Sequence, residues 1–198
     1  MTILLVSIYG LPSSEDILDL GKCNQEDLML ADCVEPHNAY ITSTLSNITG
    51  QEILDPTFMT KFVEFTKSIS TCLGSELICN KARHYKFFLD ALTFIGENLY
   101  DRTVFKCLES ITPKIKECLE LNNVFYKNLM NTFKVTSDLT TIVNCVTGEM
   151  KINLLCKNQK TISAIGKSLN ATRLMAQQYK YFEMGKMKPI VFNGNLLS

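Results

Sequence analysis

The sequence predicts an all-α, disulfide-stapled domain of about six or seven helices. Three observations carry this. Apolar residues recur every three or four positions along most of the chain, the period of an amphipathic helix. Strand signals are nearly absent: no run alternates cleanly, and the only Asn-Gly pair, Asn193-Gly194, lies at the end. Eight cysteines occur among 198 residues, an even number, with none in the first 22 positions or the last 42.

In chain order, "NQEDLMLADCV" reads as a helix with Asn24 as its cap. Pro36 opens a further segment through Ile41, Leu45 and Ile48. In "LDPTFMTKFVEFTKSISTCL", Asp55 suits an N-cap and Pro56 the first helical position. Phe58, Phe62, Phe65, Ile69 and Cys72 then form one stripe, and Gly74-Ser75 ends it. Tyr85, Phe88, Leu92, Ile95 and Leu99 repeat the pattern. Val104, Leu108, Ile111, Ile115 and Cys118 follow, running through Pro113 without losing phase. Leu139, Ile142, Val143 and Val146 make a short helical stretch; Ile162, Ile165 and Leu169 begin a longer one reaching about Tyr181. The expected organisation is a candidate signal peptide over 1–14, a single helical cysteine-rich domain over 22–182 and a loose C-terminal tail over 183–198.

The cysteines are Cys23, Cys33, Cys72, Cys79, Cys107, Cys118, Cys145 and Cys156. An even set at this density reads as a disulfide framework in an oxidising compartment; the opposing reading is eight buried thiols acting as small hydrophobes. Cys107 and Cys118 are eleven residues apart, as are Cys145 and Cys156. On one regular helix that separation is about 16 Å of rise, far beyond the roughly 7 Å limit for bridged Cα atoms. If the two segments are adjacent antiparallel helices, Cys118 meets Cys145 and Cys107 meets Cys156 as two rungs. Breaks at Pro113, Gly148 or Gly74 would reopen local pairing instead. Eight cysteines allow on the order of a hundred complete pairings, and spacing alone leaves them open.

An oxidising compartment calls for a secretory leader. Ile3 to Leu11 is an apolar run of suitable length, though no Lys or Arg precedes it and the cleavage site is not a clean small-x-small. Nothing later reaches the roughly 18 apolar residues of a membrane span. Two glycosylation sequons, at Asn47 and Asn170, are compatible with secretion and no commoner than chance. Basic and acidic residues balance at 20 each. That argues against nucleic acid or a generally cationic membrane-binding surface, and leaves room only for a local patch.

No catalytic motif is present: no G-x-S-x-G, no phosphate-binding glycine loop, no H-E-x-x-H. The two histidines, His37 and His84, read as exposed polar residues, and Glu26, Asp27, Glu117 and Glu120 as solvated carboxylates. Cys33, His37, Cys79 and His84 superficially form a zinc set, but their spacing is not that of a zinc site. No C-x-x-C suggests a redox centre. Neither a cofactor nor a metal is expected. The phenylalanines, among them Phe87, Phe94, Phe105, Phe125 and Phe133, supply either a filled core or a helix-lined pocket.

"CNQEDLMLADC", "FVEFTKSISTCLGSELIC", "FKCLESI" and "IKECLE" together resemble the cysteine pattern of a nematode secreted family, domain of unknown function nineteen, over about residues 23–156. The resemblance implies an extracellular, disulfide-bonded, mostly helical domain, related to domains in nematode proteoglycan core proteins. It carries over the eight cysteines and no catalytic or ligand residue. The expected function is therefore a secreted binding module for an unknown extracellular protein. The alternative is an extracellular carrier of a lipid or other apolar molecule.

Overall fold

The computed structural model describes residues 20–44, 55–121, 132–185 and 191–194. Among these it is all-α: six long helices, one of six residues, two 3-10 turns and no strand. In chain order they are α1 (Leu20–Val34), a 3-10 turn (Glu35–His37), α2 (Asn38–Ser43), α3 (Pro56–Leu73), α4 (Asn80–Leu99), α5 (Arg102–Leu121), α6 (Thr132–Ile152), a second 3-10 turn (Leu154–Cys156) and α7 (Gln159–Glu183). The candidate signal peptide, the Asn47 sequon, Leu45, Ile48 and Phe125 lie outside the described residues.

Local chemistry sets several boundaries. The Asp55 carboxylate accepts from the Thr57 backbone N–H at 2.8 Å, and Pro56 takes the first helical position of α3. One N–H that α3 cannot satisfy internally is thereby paired. Gly74 ends the helix at φ 68°, a left-handed conformation that favours glycine. Asn24 does not cap α1, because the helix already runs from Leu20. The segment opened by Pro36 is brief, a 3-10 turn and then six residues of α2. Pro113 does not break α5, nor does Gly148 break α6. Cys107 and Cys118 therefore lie along one continuous helix and must bond outward.

The chain forms two compact units. Of the described residues, the first comprises those through Thr93 together with 181–185 and 191–192; the second comprises those from Phe94 to Lys180 with 193–194. No linker composition marks the divide at 93/94 or 180/181, because in sequence these two boundaries fall inside helices, α4 and α7; the third lies between Phe192 and Asn193. In the first unit α1 packs on α3. Cys33, Ile69 and Leu73 are buried there, with Met29, Leu30, Val34, Phe65, Leu77 and Leu89 around them. In the second, α5 packs on α6, and the core joins Val104, Ile111, Val146, Met150 and Ile165 to three of the cysteines. Leu108 and Ile115, from the predicted α5 stripe, lie against that core.

Two departures from expectation concern aromatic residues. On α4 the expected stripe is buried at Tyr85 but only half-buried at Phe88, Leu92, Ile95 and Leu99, while His84, Phe87 and Ala91, outside the stripe, are buried. The part of the tail that is described is docked rather than loose. Phe192 meets Phe87 edge-on with ring centroids 5.6 Å apart. Gly194 comes so close to Phe94 that a Cβ there would fall 2.6 Å from ring atom Cδ2, so only glycine fits without moving the ring.

Candidate functional site

All eight cysteines are disulfide-bonded, two bridges to each unit. In the first unit Cys23 pairs with Cys79 and Cys33 with Cys72, at Cα separations of 5.4 and 5.8 Å. In the second Cys107 pairs with Cys156 and Cys118 with Cys145, at 4.9 and 5.9 Å. In both the shorter loop is nested within the longer, as two antiparallel segments stapled near both ends require. The second unit adopts the two-rung arrangement, with one refinement: Cys156 sits in the 3-10 turn just beyond α6, not on the helix. Loops of 27 to 56 residues are closed. The chain-entropy account gives each about 4 kcal/mol by restricting the unfolded state. Cys107 and Cys156 are wholly buried, whereas Cys72 is exposed.

Polar side chains reinforce the first unit's staples. Glu26, expected to be solvated, accepts from the Ile78 and Cys79 backbone N–H groups at 2.7 and 2.9 Å. It places a carboxylate at the start of α4, where the helix dipole favours negative charge. One residue on, Asp27 pairs with Lys81 at 3.0 Å. Cys23, Glu26 and Asp27, along one face of α1, thus grip residues 78–81 by a covalent bond, two backbone hydrogen bonds and an ion pair.

A second polar group ties α3 to α4. Lys86 Nζ donates to Ser70 Oγ at 2.6 Å and to both Asp90 oxygens at 2.8 and 3.0 Å, and the Ser70 hydroxyl donates to Asp90 Oδ1. One helical turn away along both helices, the hydroxyls of Thr66 and Thr93 bond at 2.9 Å. A serine beside a lysine and a carboxylate has the residue types of a Ser–Lys hydrolase, which no motif in the sequence signals. The bond directions differ from that chemistry. A nucleophilic serine gives its proton toward the lysine, whereas here the lysine donates and the serine proton points to Asp90. Ser70 is only 5% exposed and Lys86 and Asp90 are half-buried, so the arrangement is a partly buried tie between helices.

His84 is not the exposed residue expected. It is 2% exposed and lies against aromatic rings: stacked on Phe182 at 4.0 Å, tilted toward Phe88 at 4.5 Å, and edge-on to Tyr85 at 6.2 Å. Burial lowers its pKa from the usual 6.5 to about 4, so the ring is neutral at physiological pH. Burial, helped by the Asp27 charge, pushes the Tyr85 phenol up to about 12. His37 hydrogen-bonds Ser68 Oγ at 3.2 Å and meets Phe65 edge-on at 5.3 Å. Cys33 and Cys79, which spacing grouped with the histidines, have their sulfurs in disulfides and are not thiolate ligands. The α3 phenylalanines pack ring on ring: Phe58 on Phe62 at 6.3 Å, Phe62 on Phe65 at 6.2 Å, with Tyr40 against Phe65 at 5.3 Å. Asn170 lies half-buried in the interior of α7. No helix among the described residues is long and apolar enough to cross a membrane.

No protein-family model, curated protein or solved structure matches the chain.

Proposed function

We propose that this chain is a secreted, disulfide-stapled helical module that acts by binding an extracellular partner, without catalysis. The observation that carries the reading is the use of every cysteine in a nested pair of bridges within each unit. Such bridges persist where glutathione and thioredoxin do not keep thiols reduced. The cysteine pattern's resemblance to a nematode secreted family supports the same compartment. The reading assigns binding to the surface, and two features support that. The α3 phenylalanines contact one another as a packed core does, and the Ser70 hydroxyl is committed to Asp90 and Lys86.

Expression of the full chain in a secreting animal cell tests the proposal. The reading predicts protein in the medium, lacking about the first 14 residues and free of titratable thiol. Retention in the cytosol as the reduced protein would overturn it.

A further inference from the structure

Between α6 and α7 the chain reads "KINLLCKNQK", residues 151–160. Its large aliphatic residues face solvent: Ile152 is 74% exposed, Leu154 77% and Leu155 59%. The two residues that bracket them, Met150 and Cys156, are fully buried in the second unit's core. The turn between is well held. Asn153 Oδ1 accepts from the Leu155 N–H at 2.9 Å, the Cys156 N–H donates to the Asn153 carbonyl at 3.1 Å, and Asn158 Oδ1 accepts from the Lys160 N–H at 2.9 Å. The Cys107–Cys156 bridge fixes its base. Three aliphatic side chains are thus kept in water by a rigid turn, an arrangement that folding alone does not call for.

Lys151, Lys157 and Lys160, all exposed, flank these residues in sequence. Among the described residues, Asp101 is the acid paired with them, 3.7 Å from Lys160 Nζ; Glu149 lies one helical turn before Ile152, half-buried on α6. The composition separates two kinds of partner. Protein interfaces are enriched in aromatic residues and Arg and depleted in Lys. Aliphatic residues bordered by Lys suit an anionic lipid surface: the apolar side chains enter the acyl boundary while the ammonium groups meet lipid phosphates.

We propose that residues 151–160 form a membrane-docking tip, inserting Ile152, Leu154 and Leu155 shallowly into an anionic lipid surface. The tip is the local basic patch that a chain of balanced charge can still carry. The proposal rests on the binding reading above and names the partner surface. Because the turn is already ordered, little conformational freedom is lost on docking.

The test uses the oxidised full chain and sedimentation with vesicles of phosphatidylcholine, with and without phosphatidylserine. The wild type should bind the phosphatidylserine vesicles on the order of tenfold more tightly, with the preference lost in high salt. Combining Ile152→Ser, Leu154→Ser and Leu155→Ser should weaken binding by on the order of a hundredfold, while melting temperature and disulfides stay unchanged, since all three side chains are exposed. The chain contains no tryptophan, so Leu154→Trp supplies a single indole, excited selectively at long wavelength, whose emission should shift to the blue on vesicle addition. No binding by the fully oxidised wild type, or full binding by the triple serine variant, overturns the tip and leaves the secreted module standing. Self-association without vesicle binding, abolished by the serine variant, also overturns it and assigns the surface to a second copy. A reduced, cytosolic protein removes the parent reading instead.

Discussion

His84 couples a side chain to solution pH. In the unfolded chain its imidazole titrates near the ordinary 6.5; in the folded protein burial among rings lowers that to about 4. The unfolded state binds the extra proton between those values, so this contribution is complete above pH 6.5 and lost as pH falls toward 4. The loss is on the order of 3 kcal/mol. Urea unfolding at about pH 7.5 and pH 4.5 should show it, and His84→Phe should flatten the difference between the two. The Ser70 hydroxyl is held between Lys86 and Asp90 in a mostly buried tie, and Ser70→Ala should cost about 1–2 kcal/mol in the same assay. Neither residue's setting was legible in the sequence. The interval from His84 to Phe88 is helical spacing, but the ring stacked on His84, Phe182, is almost a hundred residues away. The Ser70–Lys86–Asp90 group likewise joins two helices.

The helices were the legible part. The Asp55–Pro56 start, the Gly74 stop and the α5 stripe could be read because capping and periodicity act over a few residues. Asn24 misled, since a good cap residue can also lie inside a helix whose true start is upstream. Pro113 stands in the interior of α5 on an exposed face, where it removes a backbone donor and crowds the preceding turn. The tertiary contacts of Val104, Ile111 and Cys118 hold the helix regardless. Pro113→Ala should therefore raise stability by about 1–2 kcal/mol, the helical gain less the freedom restored to the unfolded chain, and thermal unfolding would measure it. The staples differ in exposure. Cys72 is open to solvent while Cys107 and Cys156 are wholly buried. Titration with a phosphine reductant and alkylation should open Cys33–Cys72 first and Cys107–Cys156 last.

Across the whole molecule the same device occurs twice, two helical segments stapled by nested bridges. The cysteine spacings that carry it are ten and seven in the first unit, eleven and eleven in the second. Equal spacing made the second pairing a natural guess, whereas nothing in the unequal spacings pointed to the first. The division into two units could not be read from composition, because at two of its three crossings, 93/94 and 180/181, a helix rather than a linker runs through it in sequence. The pairing of the cysteines underlies both units. Cleavage at lysines, at Glu26 and at Glu76 separates every cysteine from its neighbours, so mass spectrometry of the unreduced digest decides it. Four linked peptide pairs are expected, Cys23–Cys79, Cys33–Cys72, Cys107–Cys156 and Cys118–Cys145, and no free thiol. A bridge joining a cysteine of the first unit to one of the second, or eight titratable thiols in the native protein, would contradict it.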